Sequence, residues 1–264
     1  MLKMVIYMNV LIIGSASGLG FELGCRLLER GHFVYFTTHH KGEVSGVKEK
    51  LKPTGFKKYD CFSLDIMNSK DRKKILDLEV DCLFCNGAMA LGGSLFDLSI
   101  AEIQKNFDVN VFSNLSLVKE YLEDSFQKKK FAKVVITTSM AGLMPVPFMD
   151  SYSATKASLI SFATTLYYEQ KIFSLPYSIK IIEPGIYKTG FNEFMLSTVK
   201  ENPYFSSHSF LDFERKVFKF ISKKKYNSMV KRMVRAVESS SSKFIYRAPI
   251  SQKIFLKIYL LLFK

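Results

Sequence analysis

Tyr152 and Lys156 stand four residues apart in a segment that the sequence predicts to be helical, Ser151–Phe173. At this spacing the two side chains share one face of a helix, where an ammonium group stabilises tyrosinate and lowers the pKa of the phenol from about 10. A phenol with a lowered pKa can serve as a general acid and base near neutral pH. Such pairs also arise by chance, so an ordinary surface pair is the alternative.

Ser139 ends the segment Lys133–Ser139, which is rich in β-branched residues and is predicted to be a buried strand. In open α/β sheets, ligands bind outside the carboxyl ends of the strands. Ser139 is therefore expected at the edge of the sheet where active sites gather. Its presence favours a catalytic interpretation of Tyr152 and Lys156 over a surface pair.

A glycine-rich turn lies between the predicted strand Asn9–Ile13 and the predicted helix Leu19–Arg30, with glycines at Gly14, Gly18 and Gly20. Glycine allows a tight turn and a close approach of the backbone to an anionic ligand. The N-terminus of the following helix offers free N–H groups and a positive dipole end to a pyrophosphate. A strand, a glycine turn and a helix in this order predict a dinucleotide-binding site.

The second predicted strand, Phe33–Thr37, is followed by Thr38, His39, His40 and Lys41, with no acidic residue. In dinucleotide-binding folds, a carboxylate at this place favours NAD, whereas its absence beside basic groups favours the 2′-phosphate of NADP. Thr38 and His39 occupy the decisive positions. The segment thus favours NADP(H) over NAD(H), and a solvated loop is the alternative.

Short apolar runs alternate with longer amphipathic segments along most of the chain. Continuous apolar runs are typical of parallel strands buried on both faces, and their alternation with helices predicts an α/β doubly wound parallel sheet. No internal repeat or linker is found, which predicts a single domain over residues 1–264. The predicted strands are Asn9–Ile13, Phe33–Thr37, Cys61–Asp65, Asp81–Cys85, Lys133–Ser139, Ile179–Glu183 and Lys243–Arg247. The predicted helices are Leu19–Arg30, Ser69–Leu78, Ile100–Phe126, Ser151–Phe173 and Tyr226–Glu238.

Taken together, the motifs resemble those of the classical short-chain dehydrogenases/reductases from residue 8 to about residue 190. The resemblance implies a three-layer Rossmann-like fold, a nicotinamide cofactor, and hydride transfer between the nicotinamide and a carbonyl or alcohol. An enoyl reductase of the same superfamily would space its tyrosine and lysine more widely. The shared motifs are Gly14-x-x-x-Gly18-x-Gly20, Asn110, Ser139, Tyr152-x-x-x-Lys156 and Pro184-Gly185-x-x-x-Thr189.

The resemblance implies that four residues are catalytic: Asn110, Ser139, Tyr152 and Lys156. Tyr152 would protonate the carbonyl oxygen during reduction, and Ser139 would hydrogen-bond to the substrate oxygen. Lys156 would lower the pKa of Tyr152 and bind the nicotinamide ribose. Asn110 would hold a water that links Lys156 to solvent.

The same resemblance implies contacts along the whole cofactor. Asp65 and Ile66 would contact adenine, Asn86 would line the cofactor, and Ile186 and Thr189 would hold the carboxamide. The implied cofactor-binding residues are Gly14, Ser15, Ser17, Gly18, Leu19, Gly20, Thr38, His39, Asp65, Ile66, Asn86, Gly87, Tyr152, Lys156, Pro184, Gly185, Ile186 and Thr189.

Three departures from the family pattern affect cofactor support rather than the acid/base group. Ile13 replaces the usual threonine before the first glycine, and the usual Asn-Asn-Ala-Gly after the fourth strand reads Cys85-Asn86-Gly87-Ala88. The third helical connection, residues 66–80, is short.

The cysteines and histidines predict no metal site. Cys82 and Cys85 lie three residues apart in a predicted strand, so their side chains point to opposite faces and cannot share a ligand. They are expected to be buried thiols in a reducing compartment. The four histidines lack metal-ligand spacing with cysteine or acidic partners.

The chain carries 38 lysines and arginines against 24 acidic residues, a net charge of +14. This surplus is compatible with nucleic-acid, anionic-membrane or phosphate-bearing partners. The lysines are dispersed and match no nucleic-acid reader motif, so no nucleic-acid partner is expected. No apolar run is long enough for a spanning helix. The apolar N-terminus leads directly into the glycine turn and is interpreted as the first strand. A cytoplasmic protein is expected.

Residues 190–225 interrupt the alternation and are rich in aromatic and basic residues; we call them the lid segment. The resemblance implies that this segment covers the substrate, and its composition suits an apolar substrate. Packing of two lid helices onto the core is the alternative. The lid aromatics are Phe191, Phe194, Tyr204, Phe205, Phe210, Phe213, Phe218 and Phe220.

Residues 250–264 predict an amphipathic C-terminal helix. Lys253, Lys257 and Lys264 fall within about 40° of each other on a helical wheel, beside the apolar run Ile254–Phe263. The run is too short to span a bilayer, and the pattern fits a helix lying on an anionic membrane surface. A subunit contact and an intramolecular cover remain alternatives.

These features predict an enzyme that uses NADPH to reduce a carbonyl on a hydrophobic substrate, or that catalyses the reverse oxidation of an alcohol, at a membrane surface. Two alternatives remain: a soluble 3-oxoacyl-carrier-protein or sugar-type reductase, and a non-catalytic NADP-binding sensor. The resemblance implies a homodimer or homotetramer formed through Ile100–Phe126 and Ser151–Phe173.

Overall fold

The computed structural model describes residues 7–200, 204, 208–222 and 226–261. Within these residues, seven strands form one parallel sheet with the order β3-β2-β1-β4-β5-β6-β7. The strands are β1 (Asn9–Ile13), β2 (Phe33–Thr38), β3 (Tyr59–Ser63), β4 (Cys82–Cys85), β5 (Ala132–Thr137), β6 (Tyr177–Glu183) and β7 (Ile245–Arg247). The helices are α1 (Gly18–Glu29), α2 (Lys41–Leu51), α3 (Ser69–Lys74), α4 (Ile100–Phe107), α5 (Ser113–Gln127), α6 (Asp150–Phe173), α7 (Phe191–Ser197), α8 (His208–Ile221), α9 (Asn227–Glu238) and α10 (Ile250–Leu261). The predicted doubly wound α/β fold is confirmed.

The central strands are apolar along their whole length because both faces of the sheet are covered. In β1, Val10 and Ile12 face the cluster that contains α1, α2 and α9, whereas Leu11 and Ile13 face the cluster that contains α5 and α6. Chain order reverses between β1 and β4, and this reversal opens a crevice at their carboxyl ends. The glycine turn after β1 borders that crevice.

Two elements near β2 differ from the sequence prediction. β3 begins at Tyr59, two residues earlier than expected; it is an edge strand in which only Cys61 is buried, so its apolar pattern marks its start poorly. α2 was not predicted, since five of its eleven residues are charged and it contains Gly42 and Gly46. Val47 and Leu51 are its buried residues, so it has no pronounced apolar stripe.

The predicted helix Ile100–Phe126 is divided into α4 and α5 by a wider, π-helical turn, Asp108–Phe112. This turn contains Asn110, one of the candidate site residues. The apolar spacing on both sides continues in helical register, so the sequence pattern alone does not reveal the extra residue in the turn.

The thiols and the C-terminal helix complete the fold. Cys82 and Cys85 are buried on opposite faces of β4, as predicted, and burial raises the pKa of both thiols to about 12. α10 begins at Ile250, four residues before the predicted apolar run. Lys264 and the last two residues of that run lie outside the described residues. In the described part of the chain, no helix has both the length and the apolarity needed to cross a bilayer.

Candidate active site

The glycine turn places the start of α1 at the crevice. Gly14 and Gly18 adopt positive φ angles of 72° and 58°. A Cβ on Gly14 would lie 2.5 Å from the Cα of Gly87, and a Cβ on Gly20 would lie 2.4 Å from the carbonyl oxygen of Gly14. Since these contacts leave no space for side chains, only glycine can form this turn.

The N-terminus of α1 is suited to an anionic ligand. Its N-cap residue, Ser17, makes no side-chain hydrogen bond to the helix, and its first turn contains no acidic residue. The first N–H groups of any helix lack intrahelical partners. Gly18 faces Thr189, and a Cβ on Gly18 would lie 3.2 Å from the Cβ of Thr189. The free N–H donors of this helix end fit the pyrophosphate of a dinucleotide.

The buried groups around the turn fix its shape. Ser15 is fully buried, and its hydroxyl bonds to the carbonyl oxygens of Ile12 and Thr37 at 3.2 Å. Thr37 also accepts a hydrogen bond from the Gly14 N–H at 3.2 Å through its hydroxyl oxygen. Thr37 thus holds the turn from β2, although Ile13 stands where the family has a threonine.

The end of β2 is cationic and lacks a carboxylate. Thr38 is buried, and its hydroxyl donates to the carbonyl oxygen of His40 at 2.9 Å. His39 is exposed, and Lys41 is exposed at the first position of α2. Lys50 was not predicted to belong to the site, yet its Nζ donates to the carbonyl oxygen of Ala16 in the glycine turn at 3.1 Å.

Asn86 joins three strands at the crevice. Its Nδ2 donates to the carbonyl oxygen of Gly14 at 2.9 Å, and its Oδ1 accepts from the hydroxyl of Thr137 at 3.3 Å. Asp65 and Ile66 follow β3, and Ile66 is buried. The Asp65 carboxylate accepts from the Met67 N–H at 2.9 Å, so one of its oxygens already supports the local turn.

Ser139 and Tyr152 meet at the carboxyl end of β5. Ser139 follows β5 by two residues, and Tyr152 lies in the first turn of α6. Burial raises the pKa of Tyr152 to about 12, and a hydrogen bond with Ser139 acts in the opposite direction. The expected lowering of this pKa by Lys156 is therefore not found in the protein alone, because burial dominates.

Lys156 lies one turn along α6 from Tyr152 and is also buried. Its Nζ donates to the carbonyl oxygen of Thr137 at 3.0 Å and lies 5.7 Å from the centroid of the Tyr152 ring. Burial lowers the pKa of this lysine to about 8. Lys156 thus lies beside the tyrosine, but its hydrogen bond is to the strand.

The Asn110 side chain is buried and bonds to the segment after β4. Its Oδ1 accepts from the Met89 N–H at 2.7 Å, and its Nδ2 donates to the carbonyl oxygen of Met89 at 3.1 Å. Nδ2 also lies 2.6 Å from the Oδ1 of Asn106, whose own Nδ2 donates to the hydroxyl of Ser151 at 2.9 Å. Asn110 therefore connects the segment after β4 to the start of α6.

Gly142 was not predicted to contribute to the site. A Cβ on Gly142 would lie 2.7 Å from the carbonyl carbon of Lys156 and 2.8 Å from the Ala157 nitrogen. The turn Met140–Gly142 can approach α6 only because this residue has no side chain, and that approach brings Ser139 to Tyr152. Sequence alone provides no signal for this contact, since it depends on how α6 packs.

The segment Pro184–Thr189 leaves the carboxyl end of β6 and completes the edge of the site. The N–H of Met140 donates to the carbonyl oxygen of Pro184 at 3.1 Å, which joins this segment to the turn after Ser139. Gly185 and Ile186 contact Gln252 of α10. The structure therefore brings Ser139, Tyr152 and Lys156 together with the glycine turn and this segment.

The lid segment is described in part. The rings of Phe191 and Tyr152 have centroids 5.5 Å apart, while Phe194 and Tyr204 are exposed. Phe205 and the side chains of Phe210, Phe218 and Phe220 lie outside the described residues. A cavity of about 340 Å³ opens between α7 and α8, lined by Lys188, Asn192, Glu193, Leu196, Arg215 and Lys219. None of Ser139, Tyr152 and Lys156 lines this cavity.

Known proteins share this sequence pattern and fold. Residues 8–200 match the family model described as short chain dehydrogenase. Human 17-beta-hydroxysteroid dehydrogenase type 1 is 29% identical over 205 residues, covering 73% of this chain and 60% of that protein. Human retinol dehydrogenase 8 is 30% identical over 197 residues, covering 72% of this chain and 62% of that protein. The chain thus spans about three fifths of the length of these relatives.

A solved structure shows the same fold at lower sequence identity. The short chain dehydrogenase/reductase from Burkholderia phymatum, in complex with NAD, superimposes with a TM-score of 0.81 at 19% identity. The superposition covers 96% of this chain and 92% of the other. At this identity the likeness extends to the fold alone, including the seven-stranded parallel sheet among the described residues.

Proposed function

The chain belongs to the short chain dehydrogenase family, and on this premise we propose that it is an NAD(P)-dependent oxidoreductase acting on alcohol and carbonyl groups. The favoured reaction is NADPH-dependent reduction of a carbonyl on a hydrophobic substrate. The observation that carries the proposal is the meeting of Ser139, Tyr152 and Lys156 at the carboxyl edge of the sheet, beside the glycine turn. Cytoplasmic localisation is part of the proposal.

The dinucleotide would lie along the crevice with its pyrophosphate at the N-terminus of α1. Gly14, Ser15, Ser17, Gly18, Leu19 and Gly20 would form the phosphate cradle. Asp65 and Ile66 would border adenine, Asn86 and Gly87 the middle of the cofactor, and Pro184, Gly185, Ile186 and Thr189 the nicotinamide. The bound nicotinamide supplies or accepts the hydride.

Tyr152 would be the proton donor during reduction. With a pKa of about 12, this tyrosine retains its proton at neutral pH. The alkoxide that forms as a carbonyl is reduced is more basic than tyrosinate, so transfer of the phenolic proton to it is favourable. Burial of Tyr152 therefore suits the reductive direction, in which the acid form is required.

Ser139 and Lys156 would support this transfer in different ways. Ser139 lies within hydrogen-bonding reach of Tyr152 and would orient the substrate oxygen toward the phenol. Lys156 would bind the nicotinamide ribose and stabilise tyrosinate after the proton has left. Asn110 would position a water between Lys156 and solvent, with its side chain held by Met89.

The preference for NADP rests on the cations near the end of β2. Thr38 and His39 are followed by Lys41, and Lys50 adds a cation at the carbonyl of Ala16. An acidic side chain that would bind the ribose hydroxyls of NAD is missing from Thr38–Lys41. The 2′-phosphate of NADP would be stabilised by these cations.

An apolar substrate is supported by the ring of Phe191 against Tyr152 and by the family relatives named for steroid and retinol dehydrogenation. The buried cluster around Tyr152 contains Met149, Met195 and Leu196.

The activity test is turnover of a panel of ketones with NADPH and with NADH, comparing the wild type with Tyr152→Phe. The wild type should reduce apolar ketones faster with NADPH, and the variant should lose activity by about 10²–10⁴-fold because the proton donor is gone. Full activity of Tyr152→Phe would overturn the mechanism. Tight NADP binding without turnover of any substrate would favour the sensor, and preference for sugars or acyl-carrier-protein substrates would favour the soluble reductase.

Membrane contact would use the outer face of α10. The inner face of this helix is buried through Gln252, Leu256 and Tyr259, as expected for an intramolecular cover. The opposite face exposes Ile250, Ile254, Ile258 and Leu261, which we call the outer ridge. Lys253 and Lys257 flank this ridge. An apolar ridge beside cations, on a protein with a net charge of +14, fits an anionic lipid surface.

Co-sedimentation with vesicles tests this contact. The wild type should bind vesicles of phosphatidylcholine and phosphatidylglycerol more strongly than vesicles of phosphatidylcholine alone. Ile254→Ser/Ile258→Ser should lose binding, and Ile172→Ser/Phe173→Ser, at exposed apolar residues of α6, serves as the matched control. Equal binding of both variants would contradict a membrane role for the ridge. A change from oligomer to monomer without a change in vesicle binding would identify a subunit contact.

The proposed homodimer or homotetramer would form through α4, α5 and α6. Phe112, in the turn between α4 and α5, and Phe162 of α6 are exposed, with 55% and 47% of their surface accessible. Large apolar side chains on neighbouring helices are typical of subunit interfaces. Mass measurement by light scattering determines the oligomeric state.

A further inference from the structure

Gln252 is a buried polar residue in the first turn of α10. Only 7% of its surface is accessible. Its backbone N–H donates to the carbonyl oxygen of Pro249 at 3.0 Å, and its side-chain Nε2 donates to the carbonyl oxygen of Ile186 at 2.8 Å. Gln252 therefore connects the C-terminal helix directly to the segment Pro184–Thr189.

The chemistry of the partner determines the orientation of the Gln252 amide. The carbonyl oxygen of Ile186 is only an acceptor, so the amide nitrogen must face it. The other amide atom, Oε1, is then directed at Gly185 and has no hydrogen-bond partner among the described residues. A buried amide oxygen without a donor is unfavourable, so this placement is maintained by the surrounding contacts.

Gly185 is what allows Gln252 to approach the segment. A Cβ on Gly185 would lie 2.0 Å from Oε1 of Gln252 and 3.2 Å from the Cβ of Ala248. Any larger residue would displace the glutamine or the segment itself. Gln252 can therefore occupy this place on α10 only because residue 185 has no side chain.

The rest of the inner face of α10 holds Gln252 in place. Leu256 and Tyr259 follow on the same face and are buried in the cluster that contains Tyr152, Leu196 and Leu211. The helix therefore belongs to the same buried cluster as Tyr152 and residues of α7 and α8, while its first turn bonds to Ile186.

We propose that Gln252 is a positioning residue that holds the carbonyl of Ile186 and thereby sets the shape of Pro184–Thr189 for the nicotinamide end of the dinucleotide. Because a trans peptide is planar, fixing this carbonyl fixes the whole peptide unit between Ile186 and Tyr187. The inference rests on the proposed function, which places the nicotinamide against this segment. It makes the affinity for the cofactor depend on a residue that lies more than sixty positions along the chain from the segment that it positions.

The test compares two substitutions of Gln252 with a packing control. Gln252→Met keeps the size of the side chain and removes the donor, and Gln252→Glu keeps the shape but cannot donate while ionised. Leu256→Met alters packing one turn further along the helix and leaves the hydrogen bond from Gln252 to Ile186 in place. Affinity for NADP⁺ is measured by calorimetry, together with KM for NADPH, kcat and the melting temperature.

Gln252→Met is expected to weaken NADP⁺ binding about tenfold, the effect of losing one hydrogen bond to a binding segment, and to raise KM more than it lowers kcat. Leu256→Met should bind within about twofold of the wild type, as a volume-conserving change. Gln252→Glu should bind poorly at pH 7.5 and recover toward pH 5.5, relative to wild type, because a protonated glutamate can again donate to Ile186.

Four outcomes would overturn the inference. Wild-type affinity in Gln252→Met, or equal losses in Gln252→Met and Leu256→Met, would show that the hydrogen bond does not position the segment. A Gln252→Glu variant whose affinity for NADP⁺ follows the wild-type pH dependence would also show that the hydrogen bond does not position the segment. This variant is the test to use if Gln252→Met fails to fold. Absence of dinucleotide binding by the wild type would overturn the proposed function and the inference together.

Discussion

Lys156 and Lys180 are both buried lysines that donate to a backbone carbonyl. The Nζ of Lys156 lies 3.0 Å from the oxygen of Thr137, and the Nζ of Lys180 lies 2.6 Å from the oxygen of Ser239. Burial lowers the pKa of each to about 8. Judged by burial and pKa, the two residues are nearly equivalent.

Their surroundings distinguish them. Lys156 lies at the carboxyl edge of the sheet beside Tyr152, whose phenol can exchange a proton. Lys180 lies within β6 beside Lys133, and both lysines donate to carbonyl oxygens at the end of α9, where the helix dipole is negative. A strongly shifted lysine pKa therefore does not identify a catalytic site. The acid/base partner and the position on the sheet do.

The largest expected difference between the two lysines is in catalysis. Lys156→Met removes the cation that would stabilise tyrosinate and bind the ribose, so kcat/KM should fall by about 10²–10⁴-fold. Lys180→Met should change kcat/KM by less than about threefold, because Lys180 has no contact with the site. Steady-state kinetics with NADPH and an active ketone measure both values. Similar losses in the two variants would mean that Lys156 contributes no more to catalysis than Lys180 does.

The next largest effect concerns the packing around Lys156. Gly142→Ala would place a Cβ 2.7 Å from a backbone atom of Lys156, and the turn that carries Ser139 would have to move. A displacement of about 1 Å at a catalytic group can lower the rate about 100-fold, so kcat should fall by about 10–100-fold.

Gly46→Ala is the matched control for this glycine substitution. A Cβ on Gly46 meets nothing within 4 Å, and Gly46 lies within the helix α2. This change should leave kcat unaltered and stabilise the fold by about 0.5–1 kcal/mol. Unchanged kinetics in Gly142→Ala would show that Ser139 does not depend on the close contact with α6.

Much of the sheet was predictable because local pattern and tertiary burial agree there. β1 spans the predicted residues Asn9–Ile13, and α3 begins at the predicted residue, Ser69. The glycine turn and the pair Tyr152–Lys156 were recognisable because their spacing reflects local backbone geometry. The order of the motifs then identified the family.

Other features depend on contacts between distant segments and were not predictable. The extra residue in the turn around Asn110 leaves the apolar pattern unchanged. Gly142 and Lys50 join the site through packing of α6 and α2, and Gln252 does so through the docking of α10. The expectation that Lys156 lowers the Tyr152 pKa failed because burial, which sequence does not quantify, has the larger effect.

The smallest effect expected from the lysine comparison is on the pH dependence of stability. The pKa of Lys180 is lowered from 10.5 to about 8 on folding, so between pH 8 and pH 10.5 the unfolded chain binds more protons and this residue makes stability rise with pH. Lys180→Met should remove that rise, so any stability advantage of the variant at pH 7.5 should shrink by the order of 1 kcal/mol by pH 10. Lys156 is present in both the wild type and Lys180→Met, so its contribution to the pH dependence of stability cancels in the difference between them. Urea unfolding of both proteins at several pH values measures this difference in stability. Parallel curves of stability against pH would mean that Lys180 has the same pKa in the folded and unfolded states, and that burial does not lower its pKa as it lowers that of Lys156.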